Sequence, residues 1–97
     1  MAAPQKPQLA VEYTTQLSRD LKKIAKRGLD LGKLTEVLNQ LAAQKSLAPR
    51  HRDHALAGNY RGTRECHIEP DWLLIYSVSH TDLILAAIRT GSHADLF

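Results

Sequence analysis

The chain of 97 residues has one cysteine, Cys66, and no apolar run near the roughly 20 residues that a membrane-spanning helix requires. The lone cysteine excludes a disulfide within the chain, and the missing apolar run excludes a helix across a membrane. The first eight residues include two prolines and lack the apolar core of a signal peptide. We therefore expect a cytoplasmic protein with no membrane contact and a flexible tail at residues 1–8.

Several cofactor signatures are missing as well. The sequence has no glycine-rich loop before a helix, no cysteine pair and no His-Glu-x-x-His motif. These absences argue against nucleotide binding of the P-loop or Rossmann kind and against a zinc site. Two groups of metal-ligand type are the alternative, although Pro70 breaks the strand geometry of the first: His67 with Glu69 and Asp71, and His51 with Asp53 and His54. We expect no metal and no organic cofactor.

Histidine and charge are unevenly distributed along the chain. Residues 1–50 contain no histidine, nine Lys/Arg and four Asp/Glu, whereas residues 51–97 contain all five histidines, four Lys/Arg and six Asp/Glu. The basic half is typical either of a solvated helix face or of a surface for nucleic acid or an acidic protein partner. Because histidine changes charge near neutral pH, its concentration in one half indicates a proton-transfer site.

The first half has the pattern of a strand followed by two helices. Residues 9–13 alternate between apolar and other side chains, as in a short strand. Apolar residues then recur at helical spacing, from a cap at residues 14–15 to a stop at Gly28. A second apolar stripe begins after Asp30 and ends before Pro49. Because so few residues join the two helices, we expect an antiparallel helical hairpin.

After Pro49 the spacing changes from helical to strand-like. A polar loop is predicted at residues 50–59, with residues 89–92 leaving the sheet after the last strand. Strands are predicted at 60–68, 72–78 and 83–88. The whole order predicts an α+β fold, with the helical hairpin packed on a mostly antiparallel sheet, in one domain of residues 9–97.

Four polar side chains stand where neighbouring strands begin or end. His67 ends one strand, Asp71 follows the next turn and His93 follows the last strand, while His54 lies in the loop that enters the sheet. In antiparallel strands these positions can meet at one edge. Such a set suits cleavage of RNA by its own 2′-hydroxyl, in which one group removes the 2′ proton and another protonates the leaving 5′ oxygen.

Other side chains are weaker candidates. Three arginines could grip phosphate through a guanidinium: Arg61, Arg64 and Arg89. Trp72 has two open interpretations, since it could stack on a nucleobase or cap the core at the start of a buried strand. The rest favour structural positions: His51 and His80 at the surface, Tyr60 and Tyr76 in packing contacts, and Cys66 in the core.

Two segments together resemble a known signature. Residues 53–76 are DHALAGNYRGTRECHIEPDWLLIY, and residues 89–97 are RTGSHADLF. In this order and separation they resemble the YafQ-type toxins of the RelE/ParE superfamily of bacterial toxin–antitoxin modules. The resemblance extends over residues 9–97, and the predicted order of one strand, two helices and three strands agrees with a RelE-like fold.

The resemblance implies an endoribonuclease that cuts mRNA in the ribosomal A site and halts translation. It also implies a cognate antitoxin that wraps the toxin and blocks its site. The basic stripe of the first helix would then face ribosomal RNA or the acidic surface of the antitoxin: Lys22, Lys23, Lys26 and Arg27. The expected partners are therefore the antitoxin, the ribosome and mRNA.

The functional positions of the family fall on five residues of this chain, with its tryptophan on Trp72: His54, His67, Asp71, His93 and Phe97. The resemblance implies that His54 and His67 transfer or orient protons and that Asp71 is a base or an orienting group. His93 would be an acid or a phosphate contact, and Phe97 would position a base. One departure is Ala55, where the commonest family form has proline.

Two functions of other classes stay open. The first is a non-enzymatic, ParE-like toxin that binds and poisons a host protein such as gyrase. Several groups that titrate near neutrality argue against it, because a pure binder does not need them. The second is a plain RNA-binding module, which would keep salt-sensitive binding after loss of His67 and His93.

Overall fold

The computed structural model describes residues 6–97, which form three α-helices and five β-strands. Their bounds in chain order are β1 Ala10–Tyr13, α1 Thr15–Lys26, α2 Leu31–Ala42, β2 His54–Ala55, β3 Arg64–Glu69, β4 Trp72–Ser79, β5 Ile84–Gly91 and α3 His93–Leu96. Of the tail predicted at residues 1–8, the first five lie outside the described residues. Residues 6–8 are exposed, and Gln44 donates a hydrogen bond to the carbonyl of Pro7.

Both long helices begin at a side-chain cap. The hydroxyl oxygen of Thr14 accepts a hydrogen bond from the first turn of α1 at 3.0 Å, and the carboxylate of Asp30 accepts one from α2 at 2.9 Å. Gly28, with φ of 75°, provides the left-handed residue that turns the chain after α1. α2 ends at Ala42, well before Pro49. The helical hairpin therefore forms where the sequence predicts it.

The five strands form one sheet in the order β1-β5-β4-β3-β2. β1 runs parallel to β5, and the other neighbours are antiparallel. The side chain of Thr14 donates a hydrogen bond of 2.6 Å to the carbonyl of Ile88, which joins the start of α1 to β5. The predicted α+β fold with a mostly antiparallel sheet is confirmed.

The sheet separates two apolar clusters of unequal size. On one face, α1 and α2 cover the main core, to which Leu74 and Tyr76 of β4 contribute. On the other face, Leu73 and Ile75 pack with Leu96 of α3 in a smaller cluster. The near-continuous apolar run of β4 is explained by this double coverage, because successive side chains of a strand point to opposite faces.

The structure corrects four boundaries in the second half. The loop predicted at residues 50–59 contains the short strand β2, which pairs with β3. β3 begins at Arg64 instead of residue 60, because Gly58–Tyr60 forms a turn of 3₁₀ helix. Leu83 belongs to the β4–β5 turn, with φ of 57°. Residues 89–91, which were predicted to leave the sheet, stay in β5, and α3 follows them.

Within residues 6–97, no helix combines the length and the apolar character that crossing a membrane would require.

Candidate active site

Three histidines from three elements meet at the face of the sheet that α1 and α2 leave uncovered. His54 lies in β2, His67 in β3 and His93 at the start of α3. The ring centroids of His54 and His67 are 6.5 Å apart, and those of His67 and His93 are 5.8 Å apart. Because β2 pairs with β3 in the register His54 to Glu65, pairing in the sheet fixes the first two rings.

Glu65 lies between two of these rings and is not among the site residues predicted from the sequence. Its residue surface is only 4% exposed, and its Oε1 atom is 3.7 Å from Nε2 of His54 and 3.6 Å from Nε2 of His67. The available signal was strand alternation, since residues two apart in β3 point to the same face. That period places Glu65 beside His67.

Backbone carbonyls define which ring nitrogen faces the site. Nδ1 of His54 is 2.6 Å from the carbonyl oxygen of Arg52, and Nδ1 of His67 is 3.0 Å from that of Pro70. A carbonyl oxygen only accepts hydrogen bonds, so Nδ1 of each ring carries a proton. Nε2 is therefore the nitrogen of each ring that can take up a proton at the site.

His93 and Asp71 form the exposed side of the cluster. Asp71 Oδ1 accepts hydrogen bonds from the backbone amide of His93 at 3.0 Å and from its ring Nδ1 at 2.9 Å. The amide and then the ring of His93 hold the pKa of Asp71 below its ordinary value. A carboxylate with a lowered pKa is a weak base, so its geometry is that of an orienting group for His93.

A network of polar contacts fixes the position of α3. Ser92 and Asp95 form a capping box, and Asp95 also receives two hydrogen bonds from Arg27 at 2.6 and 3.0 Å. The Arg27 guanidinium and then the Ser92 amide hold the pKa of Asp95 well below its usual range. A Cβ atom at Gly91 would lie 2.9 Å from Asp95, so glycine permits this close approach.

Phe97 extends from α3 beside the cluster. Its side chain is largely exposed, its ring centroid is 6.2 Å from that of His93, and it packs edge-on against Tyr60 at 5.5 Å. An exposed aromatic ring beside a set of proton-transfer groups can offer its free face to a nucleobase.

Trp72 requires a correction. It is only 2% exposed, and its indole nitrogen donates a hydrogen bond of 2.9 Å to the hydroxyl of Thr90 inside the protein. Stacking on a nucleobase needs an accessible ring face, which burial removes. Of its two interpretations, the structure agrees with the core one.

Two arginines also differ from the predicted phosphate contacts. Arg64 lies on the opposite face of β3 from His67 and donates a hydrogen bond of 3.3 Å to Asp53. Arg89 donates two hydrogen bonds to the buried carboxylate of Asp20, at 2.9 and 3.1 Å. Both guanidinium groups are thus paired with carboxylates in this structure. The exposed Arg61 stays a prediction.

The remaining candidates divide between interior and surface. His51, expected at the surface, is only 5% exposed, and its Nδ1 lies 2.6 Å from the carbonyl oxygen of His67. His80 is exposed in the β4–β5 turn, as expected. Cys66 lies in the core, where burial raises the pKa of its thiol to about 12. A thiol that stays protonated is a poor nucleophile.

The residues that could hold a metal ion differ from the two groups given as the alternative from the sequence and share only His67 with them. Among the described residues, the ligand atoms of Glu65, His67 and His93 lie within 4.8 Å of one another. Glu69, in the first predicted set, points away and pairs with Lys33 at 2.9 Å. In the second set, His51 is bonded to a carbonyl in the interior and Asp53 accepts a hydrogen bond from Tyr76.

Known proteins with this architecture were found in three comparisons. The model of a family described as a bacterial toxin of type II toxin-antitoxin system, YafQ, matches residues 9–97. The mRNA interferase toxin YafQ of Escherichia coli strain K12 is 42% identical over 88 residues, which is 90% of this chain and 94% of that protein.

This chain belongs to the YafQ family. The crystal structure of YafQ from E. coli strain BL21(DE3) matches with a TM-score of 0.85 and 38% identity, covering 93% of this chain and 99% of the other. YafQ in the E. coli DinJ–YafQ toxin–antitoxin complex matches with a TM-score of 0.83 and 41% identity, covering 93% of this chain and 98% of the other. A metal-bound toxin from Helicobacter pylori matches with a TM-score of 0.87 and 40% identity, covering 92% of this chain and 99% of the other.

Proposed function

We propose that this YafQ family member is an mRNA interferase, an endoribonuclease that cuts mRNA in the ribosomal A site and stops translation. The observation that carries the proposal is the convergence of His54, His67 and His93 on one open face of the sheet. The mRNA interferase activity named for the E. coli relative supports it. The competing ParE-like binder has no use for such a cluster.

The cluster supplies the groups for cleavage by the 2′-hydroxyl of RNA. The 2′ oxygen attacks the adjacent phosphorus while its proton passes to Nε2 of His54 or His67. The bond from phosphorus to the 5′ oxygen breaks, and that oxygen takes a proton from Nε2 of His93. The products are a 2′,3′-cyclic phosphate and a free 5′-hydroxyl. Proton transfer of this kind contributes about 10²–10⁴-fold to a rate, and no step requires a metal ion.

Asp71 and Phe97 prepare this reaction without exchanging protons. Asp71 accepts the Nδ1 hydrogen of His93, which directs the opposite nitrogen toward RNA and stabilises the charged ring before it donates its proton. Phe97 offers an exposed ring on which a base of the codon can stack. The role of the first residue is thus orientation, and that of the second is substrate placement.

The open shape of the site suits a substrate that the ribosome holds in place. The cluster lies on the surface of one sheet, so the ribosome would supply much of the positioning of the mRNA. The exposed basic residues of α1 would face ribosomal RNA: Arg19, Lys22, Lys23 and Lys26. We assign the cytoplasm as the place of action, since the ribosome is there.

A cognate antitoxin is the second proposed partner. YafQ of E. coli is found in a complex with DinJ, and this chain shares its fold and 41% of its residues. A partner that covers the face carrying His67 and His93 would exclude mRNA. The antitoxin of this chain would then prevent cleavage by occupying the same surface.

The test compares wild type with His67→Ala under induced expression in a bacterial host, with mapping of mRNA 5′ ends. We expect new ends at fixed positions within codons for wild type and none for the variant. His80→Ala is the matched control, because that ring is exposed in the distant β4–β5 turn. It should cleave like wild type. Growth arrest by both wild type and His67→Ala, without new mRNA ends, would support the poisoning binder and overturn the interferase.

A further inference from the structure

His51 is a buried histidine that takes no part in the proposed proton transfers. It ends the 3₁₀ turn Pro49–His51, just before the segment that carries His54, and it is only 5% exposed. Its Nδ1 atom lies 2.6 Å from the carbonyl oxygen of His67. Because a carbonyl oxygen only accepts hydrogen bonds, Nδ1 of His51 carries a proton and is the donor. One buried ring thus connects the loop before β2 to the strand that bears His67.

The carbonyl that His51 holds lies at an irregular point of β3. The pairing of β3 with β4 shifts register between His67 and Glu69. Such a bulge interrupts the regular hydrogen bonds of a sheet and changes the direction of the side chains beside it. The ring of His67 is held separately, with its Nδ1 atom 3.0 Å from the carbonyl oxygen of Pro70. The hydrogen bond from His51 therefore fixes the backbone of a residue whose ring faces the site.

The segment that follows His51 fixes the ring of His54. The carbonyl oxygen of Arg52 lies 2.6 Å from Nδ1 of His54, and Arg52 has φ of 44°, so the chain turns sharply there. Oδ1 of Asp53 accepts a hydrogen bond of 2.5 Å from the hydroxyl of Tyr76, a buried residue of β4. The segment is thus attached to β3 through His51 and to β4 through Asp53.

We propose that His51 is a positioning residue that sets the separation of the two candidate bases, His54 and His67. Its ring holds the backbone of His67 directly and stands at the start of the turn whose carbonyl orients His54. The 2′-hydroxyl of RNA must reach one of these rings at hydrogen-bond distance, so a shift of either ring slows the proton transfer. His51 itself gains and loses no proton. The inference rests on the proposed interferase activity.

Two amide variants separate the hydrogen bond to His67 from the polarity of the buried side chain. In His51→Asn the amide nitrogen can occupy the place of Nδ1, whereas in His51→Gln the amide extends to the place of Nε2. Asparagine can therefore donate to the His67 carbonyl as the native ring does. Glutamine keeps instead the contact of Nε2, which lies 3.4 Å from Nε of Arg50.

The test uses purified toxin on ribosomes programmed with a defined mRNA, with kcat and KM measured separately at equal folded concentration. We expect kcat of His51→Gln to fall about 10–10²-fold, with KM within about threefold of wild type, because the defect is in the placement of the bases. His51→Asn should keep kcat close to wild type. His80→Gln is the matched control, since that histidine is exposed in the distant β4–β5 turn. Its kcat should equal that of wild type.

A role in stability alone predicts a different result. Both variants of His51 would then unfold more readily, but their kcat per folded molecule would equal that of wild type. Wild-type kcat in His51→Gln, or the same low kcat in His51→Asn and His51→Gln, would overturn the inference. If His51→Gln does not fold, His51→Leu replaces it, because leucine has the shape of asparagine and no donor. Wild-type kcat in that variant would be equally decisive against the inference.

Failure of the proposed interferase would be recognisable in the same experiment. If wild type and His80→Gln both fail to cleave mRNA, the interferase activity is overturned, and the role of His51 with it. If both cleave mRNA normally and His51→Gln alone is slow, the defect belongs to His51.

Discussion

The two faces of the sheet differ in what their side chains do. Cys66 and Leu74 point into the main core beneath α1 and α2 and are fully buried. Glu65 and His67, which alternate with Cys66 along β3, point to the face that carries the histidine cluster. The same short strand thus contributes to folding through one face and to the proposed chemistry through the other. Substitutions on the two faces should therefore have separable effects.

The polar contacts show the same division. The carboxylate of Asp20 is buried and holds Arg89 and the Thr90 amide, which joins α1 to β5. The carboxylate of Asp71 is exposed and holds the ring of His93. A buried pair is costly to break because one partner is left without compensation, whereas an exposed pair contributes little to stability. Loss of the Asp20–Arg89 pair is therefore expected to reduce stability, and loss of the Asp71–His93 pair is expected to reduce activity.

The largest expected effect is on the site face. His93→Ala should reduce the rate of mRNA cleavage by about 10²–10⁴-fold, because it removes the proposed proton donor to the 5′ oxygen. The melting temperature should stay close to that of wild type, since the ring is exposed. Cleavage on programmed ribosomes and thermal unfolding would measure the two quantities. Asp71→Asn should lose less activity because an acceptor oxygen remains, and wild-type cleavage by His93→Ala would remove this residue from the mechanism.

A substitution in the main core should have the opposite effect, with lower stability and unchanged activity. Leu74→Ala should lower the free energy of unfolding by about 3–5 kcal/mol, because it leaves a cavity at a fully buried position. The molecules that remain folded should cleave mRNA at nearly the wild-type rate, since this side chain points away from the cluster. Urea unfolding, combined with activity per folded molecule, would test the separation. A variant with normal stability and low activity would contradict the division between faces.

The buried pair should have a pH-dependent effect. Burial acts to raise the pKa of Asp20, but hydrogen bonds from Arg89, Gln16 and the Thr90 amide outweigh it, and the pKa is lowered. A lowered folded-state pKa means that this stabilisation is complete above the ordinary pKa and is lost as pH falls through the folded value. Asp20→Asn should therefore cost about 3 kcal/mol at pH 7, and the difference from wild type should shrink in acid.

Urea unfolding at several pH values, from 7 down to the lowest at which wild type stays folded, would measure that difference. Asp30→Asn is the matched control, because asparagine caps a helix about as well as aspartate. It should be nearly neutral at every pH. A constant cost for Asp20→Asn would mean that the charge of Asp20 contributes nothing.

The sequence predicts the fold through local rules that the structure obeys. The caps at Thr14 and Asp30, the positive φ at Gly28 and the apolar run of β4 each follow from nearby residues. The rules fail where pairing with another strand decides the structure. β2 is only two residues long and exists because β3 lies beside it. No local pattern indicates such a strand.

The site was predictable in its histidines but not in its contacts. Strand ends and the family resemblance indicate His54, His67 and His93, which the structure brings together. The sequence cannot show that Trp72 is bonded to Thr90 in the core, because stacking and packing positions have the same residue type. Nor can it show that His51 bonds to the carbonyl of His67, since that contact depends on how the loop folds back.

The smallest of these effects is expected at Phe97, which contacts both the smaller apolar cluster and the histidine cluster. It is 62% exposed and packs edge-on against Tyr60 beside the smaller cluster. Phe97→Ala should therefore change stability little. It should weaken binding of mRNA by about 1–3 kcal/mol, the usual contribution of stacking on a base, and so raise KM with a smaller change in kcat.

Phe97→Leu distinguishes stacking from simple apolar contact, because leucine keeps apolar surface and lacks a π face. If stacking operates, Phe97→Leu should resemble Phe97→Ala in KM, and Phe97→Tyr should restore the wild-type value. Steady-state cleavage by the three variants at equal folded concentration would measure this order. A wild-type KM for Phe97→Leu would mean that the ring contributes apolar area alone, and the site would then hold mRNA through groups other than this ring.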